Sequence, residues 1–86
     1  MSRELEEILL IGSLQINCLD KLKENSGINH WNSININQLV RYLRNEVIEL
    51  EEAVREGQSS INVWREAADV ANFAAMIADN YGRGEK

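Results

Sequence analysis

The sequence contains no proline, only five glycines and a single cysteine. Proline and glycine are the residues that most often end helices or form tight turns, so their scarcity favours long helices over a fold of short strands. A lone cysteine excludes a disulfide within one chain. At 86 residues, the chain is long enough for one small domain. We therefore predict a single all-α domain spanning residues 1–86.

Positive charge is also scarce, because nine Lys and Arg residues stand against fourteen Asp and Glu, which gives a net charge of −5. Binding to a nucleic-acid backbone requires clustered cations, so we exclude nucleic acid as the main partner. The apolar run at residues 8–11 is too short to cross a membrane. The first residues are acidic, unlike the start of a secretory signal. We therefore expect a cytoplasmic protein that does not enter membranes.

Apolar residues recur at helical spacing and predict three main helices, over residues 2–24, 37–56 and 61–81. Ser2 is a candidate cap for the first helix, Asn35 or Asn37 for the second, and the serines after Gln58 for the third. The connection between the second and third helices is so short that they must form an antiparallel hairpin. The expected architecture is an antiparallel helical bundle. Residues 82–86 are expected to form a frayed tail.

The third helix carries more apolar residues than one face can hold. Its predicted stripe is flanked by further apolar residues, and a helix that is apolar nearly all round is normally buried. Three helices cannot bury it fully, so we expect self-association to complete the bundle. The predicted stripe consists of Val63, Ala67, Val70, Ala74, Ile77 and Tyr81, and the flanking residues are Phe73, Ala75, Met76 and Ala78.

Two pairs of carboxylates occur at i,i+3 spacing, Glu46 with Glu49 and Glu66 with Asp69. Residues three apart are neighbours on a helix surface. In each pair the first residue flanks the predicted apolar stripe and the second lies about 60° further round. The hairpin can therefore turn both pairs into one groove, where oxygen ligands would suit Mg²⁺ or Mn²⁺. The alternative is two ordinary solvated faces.

The double motif Glu46-x-x-Glu49 and Glu66-x-x-Asp69 resembles the signature of the MazG-like, all-α nucleotide pyrophosphohydrolases. The resemblance covers residues 31–79.

One position differs from the family pattern, which often has a further glutamate where Asn45 stands. Asn45 lies about 100° behind Glu46 on the helix, away from the stripe, so the change need not remove a metal ligand.

The resemblance implies hydrolysis of a nucleoside triphosphate between its α and β phosphates, releasing the monophosphate and pyrophosphate. It implies that Mg²⁺, or Mn²⁺, is held by Glu46, Glu49, Glu66 and Asp69, and that either Glu46 or Glu49 acts as general base. Family members are commonly dimers or dimers of dimers, so it also implies a homodimer or homotetramer.

Five further residues are candidate contacts for that substrate. Trp31 could stack on the base, although it could equally pin a surface loop onto the core. Asn72 lies one turn after Asp69 and is a candidate contact to the nucleotide. Lys21, Arg83 and Lys86 are candidate partners for the phosphates.

A second hypothesis is a non-catalytic helical association module, a degenerate relative whose acidic groove is vestigial. The asparagine at position 45, the small size of the chain and the few phosphate-binding cations favour it.

Overall fold

The computed structural model describes residues 2–24 and 31–84, and within these segments it contains helices and no strand. The prediction of an all-helical protein is therefore confirmed. None of the described helices is both long and apolar enough to cross a bilayer. The elements are α1 (Arg3–Glu24), a single 3₁₀ turn (Trp31–Ser33), α2 (Ile36–Arg55) and α3 (Ser60–Gly84).

Each main helix begins at a side-chain cap, as the sequence predicts. Oxygen atoms of Ser2, Asn35 and Ser59 accept hydrogen bonds from backbone N–H groups two or three residues later, at 3.1, 2.9 and 3.2 Å. These bonds satisfy donors that have no partner within the first turn of a helix. Gly57 makes the turn after α2 with a φ of 67°, a conformation that favours glycine.

The end of α3 corrects the predicted boundary. The helix continues through Gly84, whereas the sequence predicts an end at Tyr81 and a frayed tail. The Arg83 guanidinium donates a 2.8 Å hydrogen bond to the Asp79 carboxylate one turn earlier, and such a pair supports the last turn of a helix. Lys86 lies outside the described residues.

The core is small and lies where α2, α3 and the 3₁₀ turn meet. Leu39, Phe73 and Met76 are its buried members, and Leu39 is fully excluded from solvent. The Tyr42 and Phe73 rings contact each other at an angle, with their centroids 5.7 Å apart. The half-buried apolar residues around this core are Leu22, Trp31, Ile34, Tyr42, Leu43 and Ile77.

The buried face of α3 is not the one that the apolar stripe predicts. Ala68, Phe73 and Met76 are buried, whereas Ala74 and Tyr81 of the predicted stripe are exposed. That part of the prediction was wrong because a helix that is apolar nearly all round has no single hydrophobic face to mark. The acidic residues of α3 therefore lie within its packed face rather than beside it.

Helix α1 packs against α3 but has no buried residue. Its large apolar side chains are exposed, with Ile8 at 61% and Ile16 at 65%. Exposed apolar side chains that form a contiguous patch often mark a surface that binds another molecule.

We expect Leu39→Ala to lower the free energy of unfolding by about 3 kcal/mol, because it removes a fully buried side chain and leaves a cavity against Phe73 and Met76. Ile61→Ala is the matched control, since Ile61 is 74% exposed and its truncation should change stability by less than about 0.5 kcal/mol. Urea unfolding followed by circular dichroism measures both. Equal effects of the two substitutions would contradict this location of the core.

Candidate metal centre

Three carboxylates meet where α2 packs against α3. One ligand oxygen from each of Glu46, Glu66 and Asp69 lies within 4.8 Å of the other two. Glu66 and Asp69 are three residues apart on α3 and share one side of it, so both face α2. We call these three residues the acidic cluster.

The acidic cluster contains buried oxygen atoms that lack a donor. Asp69 is only 6% exposed, and the Oε2 atoms of Glu46 and Glu66 are fully buried. No hydrogen-bond donor from residues 2–24 or 31–84 reaches either Oε2 atom. A buried acceptor without a partner is costly, and a bound cation would remove that cost. The all-oxygen donor set suits a hard divalent cation such as Mg²⁺ or Mn²⁺.

Glu49 lies outside the acidic cluster but next to it. Its side chain contacts Glu46 and lies close enough to Glu66 to repel its charge, while Glu49 itself is exposed to solvent. The structure thus groups three of the four predicted metal ligands and leaves the fourth at the rim.

Burial and mutual repulsion raise the pKa of two carboxyl groups in the cluster. Burial, the contact with Glu49 and the charges of Asp69, Glu49 and Glu66 together raise the pKa of Glu46 to about 7. Burial and the charges of Glu49 and Asp69 also raise the pKa of Glu66, against the opposing effect of Lys21. Both shifts arise because burial and like charges disfavour the ionised form.

Lys21 forms an ion pair with the acidic cluster. Its ammonium lies 3.2 Å from Asp69 Oδ2 and 3.5 Å from Glu24 Oε2, and Glu24 is also bonded by Arg65. Burial disfavours the charged ammonium, but the hydrogen bond to Asp69 and the neighbouring carboxylates outweigh it and raise the pKa of Lys21. Lys21 therefore stays charged and neutralises part of the cluster.

Asn72 lies one turn after Asp69, as predicted, but its amide is used within the protein. It is 8% exposed and donates a 3.0 Å hydrogen bond to the Cys18 carbonyl of α1. The Cys18 thiol in turn lies 3.8 Å from the Ala68 carbonyl, and burial raises its pKa. A thiol with a raised pKa is a poor nucleophile. The role of Cys18 and Asn72 in this structure is to join α1 to α3 through these hydrogen bonds.

Trp31 is fixed at the other end of the packed face of α3. Its indole N–H donates a 2.8 Å hydrogen bond to Asp79 Oδ2. The Asn80 amide donates to the Trp31 and Ile34 carbonyls at 2.8 and 2.9 Å. A cavity of about 180 Å³ lies beside this network, lined by Leu22, Trp31, Asn72, Ala75, Met76 and Asp79.

Arg83 is not brought to the acidic cluster. It is fourteen residues from Asp69, which corresponds to about 21 Å along the helix axis. Its guanidinium bonds to Asp79.

Asp79, Asn80 and the Glu24–Arg65 pair were missed by sequence reasoning. A signal for Asp79 and Asn80 was present, because they follow Asp69 and Asn72 at helical spacing and so share their face. A buried indole N–H also requires an acceptor. No comparable signal marked Glu24 and Arg65, since their contact depends on how α1 lies against α3.

Comparison of the chain with models of known protein families, with curated protein sequences and with solved structures gives no match in any of the three.

We expect the metal-free protein to lose stability as the pH rises from about 5 to 8. The folded-state pKa of Glu46 is raised to about 7 from its ordinary value of 4.5. Stability from a raised pKa is complete below the unfolded value and is lost as the pH rises through the folded one. Glu49, Glu66 and Asp69 oppose ionisation of Glu46, whereas Lys21 favours ionisation of the neighbouring Glu66.

Thermal melting between pH 5 and 8 in a metal chelator measures this effect. Glu46→Gln should flatten the decline, and Mg²⁺ or Mn²⁺ should reduce it in the unsubstituted protein. Glu52→Gln is the control, because Glu52 is exposed on α2 and should leave the pH dependence unchanged. A melting temperature that rises steadily over this range would refute the assignment.

Proposed function

We propose that the protein is a Mg²⁺-dependent nucleoside triphosphate pyrophosphohydrolase that resembles the MazG-like enzymes and releases a nucleoside monophosphate and pyrophosphate. The observation that carries the proposal is the pair of buried Oε2 atoms of Glu46 and Glu66 that lack a donor beside Asp69. Carboxylates arranged in this way would be destabilising in a protein with no use for a cation.

The residues of the cluster have separate roles in this proposal. Glu46, Glu66 and Asp69 would hold Mg²⁺, which when bound neutralises phosphate charge and lowers the pKa of a bound water. Glu49 is exposed and touches the cluster from its rim, so it is the candidate to accept a proton from the attacking water. Lys21, beside Asp69, is the nearest candidate cation for the outer phosphates.

The nucleoside is proposed to lie along α3 towards Trp31. Asp79 is ten residues from Asp69, about 15 Å along the helix axis, and Asn72 lies between them. The cavity beside Trp31 is walled by apolar side chains with two polar ones, a composition common in small-molecule sites. Because the Trp31 indole is already bonded to Asp79, its ring is held in one orientation before any ligand binds.

The second candidate function is a non-catalytic association module, and the contact of Lys21 with Asp69 favours it. A lysine that already neutralises part of the cluster lets the chain fold without a metal. The two candidates differ in turnover and in metal binding.

An assay of pyrophosphate release separates them. A panel of canonical and modified nucleoside triphosphates with Mg²⁺ should include at least one substrate that is turned over, and chelation should stop the reaction. Absence of turnover on every substrate, together with absence of Mg²⁺ and Mn²⁺ binding by calorimetry, would exclude the enzyme.

Within that assay we expect Glu49→Gln to lower turnover by at least about a hundredfold, the usual contribution of a general base. The fold should be as stable or more stable without metal, because one of the repelling carboxylates is removed. Glu52→Gln, an exposed substitution on the same helix, should retain activity. Full activity of Glu49→Gln would show that Glu49 is not the base.

We further propose that the helices form an antiparallel bundle completed by a second copy of the chain. The order of contacts supports the antiparallel arrangement, because Asn80 late in α3 meets Ile34 before α2, and Phe73 in the middle meets Tyr42. The chain exposes 6265 Å², whereas a compact monomer of its mass of 9.8 kDa exposes about 5,200 Å². The excess is comparable to the area of about 800 Å² that one partner buries in a stable interface.

We expect light scattering after size exclusion to report a dimer or tetramer at micromolar concentration. Ile8→Glu should shift it towards monomer, because Ile8 is 61% exposed on the apolar surface of α1. Ile61→Glu, at an apolar residue of α3 that is even more exposed, is the control and should leave the mass unchanged. A monomeric unsubstituted protein would contradict the proposal.

A further inference from the structure

We infer that Lys21 is the built-in counter-cation of the acidic cluster and that a divalent cation must compete with its ammonium group for Asp69. The inference rests on the proposed metal site. It adds that the last turn of α1 is coupled to cation binding.

The Lys21 ammonium lies against a buried carboxylate. Lys21 Nζ lies 3.2 Å from Asp69 Oδ2, and the two side chains are only 17% and 8% exposed. A contact between partly buried charges is weakly screened by solvent. Lys21 therefore interacts more strongly with its partner than a surface lysine does.

Asp69, the partner of Lys21, also belongs to the acidic cluster. Mg²⁺ binds carboxylate oxygen at about 2.0–2.1 Å, so an ion on Asp69 would lie within a few ångströms of the ammonium. The two positive charges repel each other and draw on the same carboxylate. Each therefore weakens the binding of the other.

Lys21 has a second carboxylate partner within reach. Glu24 Oε2 lies 3.5 Å from Nζ, one turn later on α1, and is more exposed than Asp69. A lysine displaced from Asp69 can keep Glu24 as its partner, so displacement leaves no charge buried alone. The arrangement thus permits exchange.

Helix α1 is attached to α3 mainly through polar contacts near its end. Four polar contacts join this part of α1 to α3, two from Cys18 and one each from Lys21 and Glu24, and no residue of α1 is buried. Only the link from Lys21 ends on the acidic cluster. Loading the cluster therefore removes one specific link between the two helices.

Lys21→Met separates competition from the opposite possibility, that Lys21 merely orients Asp69 for the metal. Calorimetric titration of the metal-free protein with MnCl₂ gives the affinity. Competition predicts that Lys21→Met binds Mn²⁺ about tenfold more tightly, since a nearby positive charge is removed. Orientation predicts weaker binding.

Two further variants are matched controls. Lys21→Arg keeps the charge and should bind Mn²⁺ as weakly as the unsubstituted protein. Lys23→Met removes a charge from an exposed position in the same turn of α1 and should change the affinity less than about twofold.

Unfolding of the same variants gives a readout that does not involve turnover. Lys21→Met should destabilise the metal-free protein more than the Mn²⁺-saturated one, because binding and folding are linked. If Lys21→Met is unfolded without metal, saturating Mn²⁺ should restore its helical circular dichroism. Failure to do so would overturn the inference.

The outcomes also separate this inference from the proposed metal site. Equal or weaker Mn²⁺ binding by Lys21→Met, with clear binding by the unsubstituted protein, overturns the competition and leaves the site intact. Absence of binding by every variant overturns both. Tighter Mn²⁺ binding by Lys21→Met, without tighter binding by Lys21→Arg or Lys23→Met, supports both the competition and the metal site.

Discussion

Repulsion among carboxylates held between α2 and α3 is the constraint on which the rest of this structure depends. Glu46, Glu66 and Asp69 lie in the packed interface of the two helices rather than on a solvated surface. The protein meets the cost in two ways, through the Lys21 ammonium beside Asp69 and through a Glu46 carboxyl group whose pKa is raised to about 7. Both compensations are incomplete, since two buried oxygen atoms have no donor among the described residues.

The packed face of α3 divides into three zones that explain how such a cluster is tolerated. The acidic residues occupy its first half, the apolar core around Phe73 and Met76 follows, and the polar network of Asp79 and Asn80 fixes Trp31 at the far end. The core between the two polar zones holds α2 against α3 and so keeps the carboxylates together.

The sequence predicted where the helices begin better than it predicted which face of a helix is buried. The caps at Ser2, Asn35 and Ser59 are short-range features that depend on neighbouring residues only, and they are where the pattern placed them. The buried face of α3 was wrong because apolar residues nearly surround that helix, so periodicity carried little information. The partner of Lys21 could not be predicted at all, since the contact with Asp69 spans 48 residues and depends on the placement of α1.

The acidic cluster also bears on why the chain exposes so much apolar surface. Asp69 and Asn72 occupy two of the seven buried positions among the described residues, and Leu39 is the only large side chain there that is fully excluded from solvent. Small domains have little core to spare, so buried positions given to polar residues reduce the apolar burial that stabilises the fold. If the exposed side chains of α1 were buried against a second copy of the chain, the added apolar burial would offset the apolar burial that the polar residues displace. The proposed self-association would therefore compensate for the charged residues that are placed inside so short a chain.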